Sequence, residues 1–478
     1  MKKTEKKEGI VDKNIDFSRW YSDIIRVASL AEHGASKGSM VIKPHGYALW
    51  ELIQKKFDAR IKKTGVANAY FPLLIPERFL NKEKEHVEGF SPEVAAVTYA
   101  GGKKLKEALI IRPTSETVIY HTLSSWVQSH NDLPILLNQW VNVVRWEKRP
   151  RLFLRTTEFL WQEGHTVHAT ARESKKRTLL MLKTYQNFAK EVLAIPTIAG
   201  LKTNSEKFAG AKQTYSLEAM MQDGKALQFA TSHNLDQNFA KPFKIQYTNK
   251  NGVSKYCYQT SWGMSTRVIG ALIMVHSDNV GLVLPPKVAP IQVIIVPIYS
   301  SEENRKIVEE EAKSLYAQLK NQFRLQIDLT EEHAGEKFYK WERKGVPLRI
   351  ELGPREVKDK TASIIRRDTG KKRPVAIKDL KNEIRKELKD IQRNLYQKAL
   401  SFMNERTKEV KTWKDFKEEI KNNNFVIAYF KEDASVEEKI KSETKASPRC
   451  ILLTKIKQGR CIYSGKPTKT KLIFARAY

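Results

Sequence analysis

Cysteine is scarce: Cys257, Cys450 and Cys461 are the only three in 478 residues. So odd and sparse a set excludes a disulfide framework and predicts a reducing compartment. Long apolar runs are missing as well. No stretch reaches the ~18 uncharged residues of a membrane span, and the opening "MKKTEKKEGIVDKN" is charged without an apolar centre, so no secretory signal is expected. A soluble, cytoplasmic protein with no membrane partner is the expectation. Glycine cradles are absent: neither GxxxxGK[ST] nor GxGxxG occurs. A bound nucleotide would then be held by side chains, and arginine suits this because its planar fork pairs oxygens two at a time. No metal motif is visible, since the HxxH of His165 and His168 lacks a third ligand.

Positive charge is abundant. Lys and Arg number 85 against 54 acidic residues, a net charge of +31. Such an excess favours a polyanionic partner, nucleic acid before an anionic membrane, although lysine enrichment also arises from composition bias. The length, with 41% apolar residues, predicts several domains. Residues from about 15 to 285 mix helical patterns with apolar strands. In "LIIRPTSETVIYHTLSSWVQS", Pro113 ends a strand, and Thr114 and Ser115 are cap-type residues before a helix. Thr170 and Glu173 form a capping box that opens a long amphipathic helix. "VLPPKVAP" reads as a linker. Strands then alternate with helices over 290–375, a small mixed α/β unit. Ile377, Leu380, Ile384, Leu388, Ile391 and Leu395 are spaced by three or four, which predicts one long helix within 376–411. A compact tail follows over 412–478.

The run "VVRWEKRPRLFLRTTEF", from Val143, packs five basic residues and two glutamates together. Read as a strand, it puts Val143, Arg145 and Glu147 on one face, with "LFLRTTEF" returning antiparallel after "KRPR". Two readings stay open at this level: a cross-strand ion pair, or an arginine that grips phosphate.

Together with "RPTSET", "QFATSHNLDQNF", "SWGMSTRVIGAL", "GVPLRIELGPRE" and the terminal "IFARAY", this run resembles the prolyl-tRNA synthetases, class II aminoacyl-tRNA synthetases, in the same order along nearly the whole chain. The similarity is greatest to the archaeal/eukaryotic-like type, because only 104 positions separate Glu158 from Trp262, where the bacterial type carries an editing insertion. The resemblance implies an α/β multidomain fold: a class II catalytic domain built on an antiparallel sheet (1–285), a mixed α/β anticodon-binding domain (290–375), a connecting helix (376–411) and a small α/β C-terminal domain (412–478). It implies attachment of L-proline to tRNA(Pro) through a prolyl-adenylate, with ATP as substrate, Mg²⁺ bridging its phosphates, and a homodimer whose interface includes "FPLLIPE" with Pro72. Arg145 would hold the α-phosphate and the amino-acid carboxylate, and Glu147 the adenine amine. Thr156, Thr157, Gln228, Thr231 and Ser265 would contact ATP, and Arg267 the γ-phosphate. Thr114, Glu116 and His233 would bind proline, with Phe159, Trp161 and His165 walling its ring. Arg349, Glu351 and Arg355 are the candidate anticodon contacts. Read by residue type alone, Thr114 is a helix cap, Glu116 a favourable charge at a helix start, Arg349 with Glu351 an ion pair, and the aromatics core. Two other functions remain open: a class II synthetase for another small amino acid, and an inactive synthetase-like RNA-binding protein.

The tail departs from the family. Many relatives hold zinc there with four cysteines. Here Cys461 stays, Ser464 stands at its partner's place, and Lys431 and Val436 stand near the other pair. Structural zinc needs four N or S ligands, so none is expected. The terminal Tyr478 matches the family's end, which folds back toward the catalytic domain.

Overall fold

The computed structural model describes residues 9–79, 94–454 and 456–478; the charged residues 1–8 at the start of the chain lie outside them. Its centre is one sheet of eleven strands. In spatial order they are Thr407–Glu409, Phe425–Tyr429, Lys471–Ala475, Ser447–Leu452, Ile198–Leu201, Gln213–Met220, Ala226–Asp236, Tyr258–Ser265, Glu158–His168, Ile135–Val144 and Ala67–Asn68. The six from Ile198–Leu201 to Ile135–Val144 are antiparallel neighbours. The helix Ala171–Glu191 covers one face of the sheet. Thr170 Oγ1 accepts from Glu173 N at 3.2 Å and Glu173 Oε2 accepts from Thr170 N at 3.1 Å, so the expected capping box starts it. Its buried stripe includes Met181, Tyr185 and Phe188, and both rings meet Phe57 at 4.8–4.9 Å. Fully burying one such ring contributes roughly 2–3 kcal/mol.

The tail packs its own core, with Phe416, Ile420, Ile440 and Phe474, on an extension of this sheet. Its strand Ser447–Leu452 pairs with Ile198–Leu201, through Ile451 with Leu201 and Leu452 with Gly200, so the large sheet runs on into the tail. Gly200 permits the approach: a Cβ there would sit 2.4 Å from Cys450 Sγ. Cys450 is buried packing.

A second sheet has the order Leu325–Ile327, Val293–Pro297, Leu348–Leu352, Thr361–Arg366, Lys372–Ala376. Its first three strands are parallel and the last two antiparallel. The long helix spans Leu380–Glu405, and Ile377 sits in a short turn before it. Leu380, Ile384, Leu388, Ile391 and Leu395 share one core with this sheet, so the helix is packed structure of the second unit rather than a bare connector.

Candidate active site

The strand expected to carry "VVRWE" stops at Val144. Pairing ends with Val144 opposite Glu158, the return strand begins at Glu158, and a long hairpin lies between. Pro150 has no N–H for a ladder there, and Phe153 turns the chain with φ 61°. Arg145 therefore stands at the mouth of the hairpin. Its N–H donates to Thr157 O at 2.8 Å and its Nε to Pro113 O at 2.8 Å. The guanidinium lies 5.5 Å from the Phe159 ring and 5.3 Å from the Trp161 ring.

Below it the sheet forms a cavity of about 280 Å³. Register explains its floor, because directly opposed residues on neighbouring strands share a face. One row runs Thr214, His233, Ser261, His165; the next runs Ser216, Thr231, Gly263, Glu163, Gln139. Gly263 leaves an opening in the second row. Gln228 and Thr231 are three apart, so strict alternation would send them to opposite faces. A bulge resolves this: Leu217 pairs with Ala230 and Glu218 with Gln228, leaving Phe229 as the extra residue. Both polar side chains thus line the cavity.

The helix Glu116–Trp126 begins at the cavity edge. Ser115 occupies the cap position without capping; its Oγ donates to Glu163 at 2.5 Å. Thr114, read from its type as a cap, instead donates to Glu116, which is buried in the helix's first turn, where the helix dipole favours a carboxylate. Arg267 opens the helix Arg267–His276, with its N–H donating to Ser265 Oγ at 3.2 Å and its Nε to Leu154 O at 3.4 Å. Among the described residues neither Arg145 nor Arg267 forms an ion pair.

The electrostatics are arranged by burial and neighbours. Burial pushes the Glu163 carboxyl up, but His165 (Nε2 at 3.0 Å), Ser115 and Gln139 outweigh it and hold it below the usual range. Burial likewise pulls His165 down, and Glu163 and then Glu116 raise it above its ordinary value. His233 is the opposite case: burial, with the charge of His165, lowers it to about 3. Burial lowers Arg267 to about 10, with Arg145 and Arg155 adding to the fall, so it stays charged at neutral pH. Arg145 keeps an exposed face, yet the walls around it still lower its pKa by burial, against Glu116 and Glu163. Buried polar atoms of lining residues, among them His165 Nδ1, Ser261 Oγ and Trp161 Nε1, meet no partner among the described residues. Each such orphan costs about 1–3 kcal/mol, which a polar ligand would relieve.

Thr114, Glu116, Arg145, Phe159, Trp161, His165, Gln228, Thr231, His233, Ser265 and Arg267, all expected from the sequence, line this cavity. Glu147, Thr156 and Thr157 do not. Glu147 accepts from Arg149 N at 2.8 Å, Thr156 Oγ1 donates to Glu158 O at 2.7 Å, and Thr157 N donates to Gly38 O at 2.9 Å. Sequence reasoning missed Glu163, Ser261 and Phe208. Glu163 was within reach, since Trp161, Glu163 and His165 alternate on one strand. Arg349 and Glu351 lie far off on the second sheet, joined to each other at 2.9 Å, with Glu342 on the arginine at 2.7 Å and Lys372 on the glutamate at 2.6 Å. Arg355 is exposed, with Asp359 at 3.6 Å. Tyr478 docks beside the hairpin: its hydroxyl donates to Asp223 at 2.6 Å, and its ring lies 5.2 Å from the Arg151 guanidinium and 5.1 Å from Lys225 Nζ. Among the described residues no group of three His, Cys, Asp or Glu side chains could hold a metal. Cys461 is buried, with Ser464 and the Lys431 backbone within hydrogen-bonding reach of its sulfur; burial pushes the thiol up, and these contacts hold it lower.

Three family models match. They are the tRNA synthetase class II core domain (G, H, P, S and T) over residues 99–276, the anticodon binding domain over 292–387, and the prolyl-tRNA synthetase C-terminal domain over 413–478. The class II core, anticodon-binding and C-terminal parts expected from the sequence are therefore present. The chain is 51% identical to the proline--tRNA ligase of Roseiflexus sp. (strain RS-1), covering 99% of this chain and 100% of that one. It is 50% identical to that of Prosthecochloris aestuarii, covering 98% and 100%, and 49% identical to that of Porphyromonas gingivalis, covering 97% of each. Identity at half of all positions, carried end to end through core, anticodon and tail regions, settles the kinship: the chain belongs to the prolyl-tRNA synthetases, a family of class II proline--tRNA ligases.

Proposed function

We propose that this protein attaches L-proline to tRNA(Pro) in two steps. A proline carboxylate oxygen attacks the α-phosphorus of ATP; the bond to the bridging oxygen breaks and pyrophosphate leaves. A hydroxyl of the terminal tRNA ribose then attacks the prolyl carbonyl and AMP leaves. The observation that carries this reading is a pair of arginines, Arg145 and Arg267, without ion-pair partners among the described residues, in a cavity that also holds a buried carboxylate beside a hydroxyl. Arg145 takes the α-phosphate and the proline carboxylate, and Arg267 the γ-phosphate. Fixed cations of this kind neutralise charge as it develops without reorganising, and holding both reactants together supplies the rest. Glu116 and Thr114 accept from proline's secondary ammonium, His233 borders its carboxyl end, and Phe159, Trp161 and His165 enclose the ring. Gln228, Thr231 and Ser265 serve ATP from the cavity wall, and the assignment of Glu147, Thr156 and Thr157 to ATP rests on the family resemblance alone. Magnesium suits the neutral oxygens of Gln228 and Thr231, because it prefers hard oxygen donors and keeps several waters. When bound it would neutralise phosphate charge.

Proline-dependent exchange of pyrophosphate into ATP tests the reading. Exchange with threonine or serine but not with proline would overturn it. An inactive RNA-binding relative is disfavoured because Arg145 and Arg267 stand with their charges available.

Finer assignments follow the same reading. The archaeal/eukaryotic-like type is supported by the interval from Glu158 to Trp262, whose residues build core strands and the helix Ala171–Glu191. A homodimer is supported by Tyr70 and Leu74, 72% and 40% exposed around Pro72. Arg355 is the anticodon contact best placed for RNA, and Arg349 with Glu351 stiffens the strand beneath it. Among the described residues no helix is long and apolar enough to cross a membrane, and the proposed location is the cytoplasm. The tail, with one cysteine at the former metal knuckle, is read as zinc-free.

A further inference from the structure

Residues 202–212 join the strands Ile198–Leu201 and Gln213–Met220 without regular ladder pairing. Glu206, Lys207 and Phe208 of this segment line the cavity. The Phe208 ring lies 5.0 Å from the His233 ring. Phe208 N donates to Thr214 Oγ1 at 3.0 Å, and the same hydroxyl meets His233 Nδ1 at 3.0 Å. The loop thereby sets the wall at the His233 end.

The tail holds the start of this loop. Thr203 Oγ1 donates to Glu437 Oε2 at 3.0 Å, and the Ser205 hydroxyl donates to the same oxygen. Asn204 donates to Glu432 Oε2 through its backbone N at 3.1 Å and its Nδ2 at 3.3 Å. One residue earlier, Lys202 Nζ lies 3.0 Å from Glu218 Oε1, and the other oxygen of Glu218 takes Arg449 Nε and Nη2 at 3.0 and 2.9 Å. Four consecutive loop residues are therefore held by the tail, or by a carboxylate that the tail holds. Glu437 and Thr203 are buried. Covering a sheet edge requires only the ladder at Leu201. It does not require a buried carboxylate aimed at two hydroxyls, which costs desolvation that the hydrogen bonds must offset.

We propose that Glu437 of the tail is a positioning residue for the amino-acid end of the active site: it fixes residues 203–205 so that Phe208 and Lys207 stand against His233. The inference rests on the reading of that end as the proline pocket. Glu437→Ala should raise KM for proline about tenfold in pyrophosphate exchange, the loss of one to two hydrogen bonds to a charged acceptor. KM for ATP should stay within about twofold. Glu437→Gln should fall between, because its amide oxygen still accepts, and it carries the test if the alanine variant does not fold. Glu438→Ala, at a neighbour whose side chain is 74% exposed, should match the wild type. An unchanged proline KM, or proline and ATP KM values rising in step, overturns the proposal, since a merely structural tail contact would lower Tm without separating the substrates. If the wild type shows no proline-dependent exchange, the parent reading fails by itself. The clamp is then read from trypsin cleavage after Lys207, expected to be faster in Glu437→Ala; equal rates overturn it.

Discussion

The cavity and the second sheet both concentrate arginine, yet they treat it differently. In the second unit four arginines on or just after the strands are matched by carboxylates. Arg349 faces Glu342 and Glu351, Arg366 faces Asp368, Glu387 and Asp390, Arg373 faces Glu383 and Glu387, and Arg367 bridges to Asp278 with two contacts of 2.7 Å. In the cavity Arg145 and Arg267 rest on backbone carbonyls, with carboxylates near but not paired. A matched guanidinium has spent its charge on the fold. One held by carbonyls keeps its position and leaves its charge for an anion. Arg324 of the second unit is also held by carbonyls, those of Ala289 and Pro286, so it is carbonyl support together with a place in the cavity wall that sets Arg145 and Arg267 apart.

Substitutions can break that contrast. The largest effect is expected at Arg145→Ala, which should lower pyrophosphate exchange by about 10³-fold, as loss of one preorganised charge donor does. Its Tm should move little and tRNA binding should persist; a large drop in Tm would mean that the arginine is structural. Next, Arg349→Ala should cost about 1–3 kcal/mol by leaving the buried Glu351 short of a partner. Thermal melts read this, and exchange should be unaffected; a stable variant would refute the structural role.

Protonation sharpens the contrast within the cavity itself. His233 sits near 3 when folded, against about 6.5 for a free imidazole. Folding thus excludes its proton, so its contribution is complete above ~6.5 and is lost as pH falls toward 3. His165 has the opposite sign: its raised value gives stability that is complete below ~6.5 and lost as pH rises through the folded value. His233→Asn should therefore flatten the fall of Tm between about pH 6.5 and 4; an unchanged acid limb would contradict the assignment.

Smaller effects belong to the surface. Arg355→Ala should alter stability by less than ~0.5 kcal/mol while raising the KM for tRNA several-fold in aminoacylation. Equal KM values would remove it from the anticodon contact. Smallest of all, a chelator should leave Tm unchanged, and elemental analysis should find no stoichiometric zinc; stoichiometric metal would reverse the reading of the tail.

Much of this was legible in the chain. The Thr170–Glu173 box and the leucine–isoleucine stripe of the long helix are local patterns, and local hydrogen bonds realised them. Arg145, Arg267 and the Thr114–Glu116 pair came from the resemblance to the family's motifs, since residue type alone left an ion pair and a helix cap open. What stayed hidden depends on pairing between distant strands. The bulge at Phe229 exists only against Leu217 and Glu218, so no single-strand alternation shows it. Glu163 draws its partners from Ser115 and Gln139, and Phe208 enters on an irregular loop. The end of the strand at Val144 was misread because alternation continues in the residues after the ladder stops. The junction of tail and sheet was equally invisible, since Gly200 gives no sign of the strand that will lie on it.

That junction has a consequence for how the molecule is made. Leu201 waits for Ile451, about 250 positions further along. During synthesis the Ile198–Leu201 edge emerges long before its partner and presents bare N–H and C=O groups, the feature that invites pairing with the wrong chain. Assembly of the large sheet is therefore completed late, and a chain cut short before residue 432 carries an open edge and lacks the carboxylates that hold the pocket loop. Such fragments should be both inactive and prone to aggregate, which ties charging capacity to completion of the polypeptide.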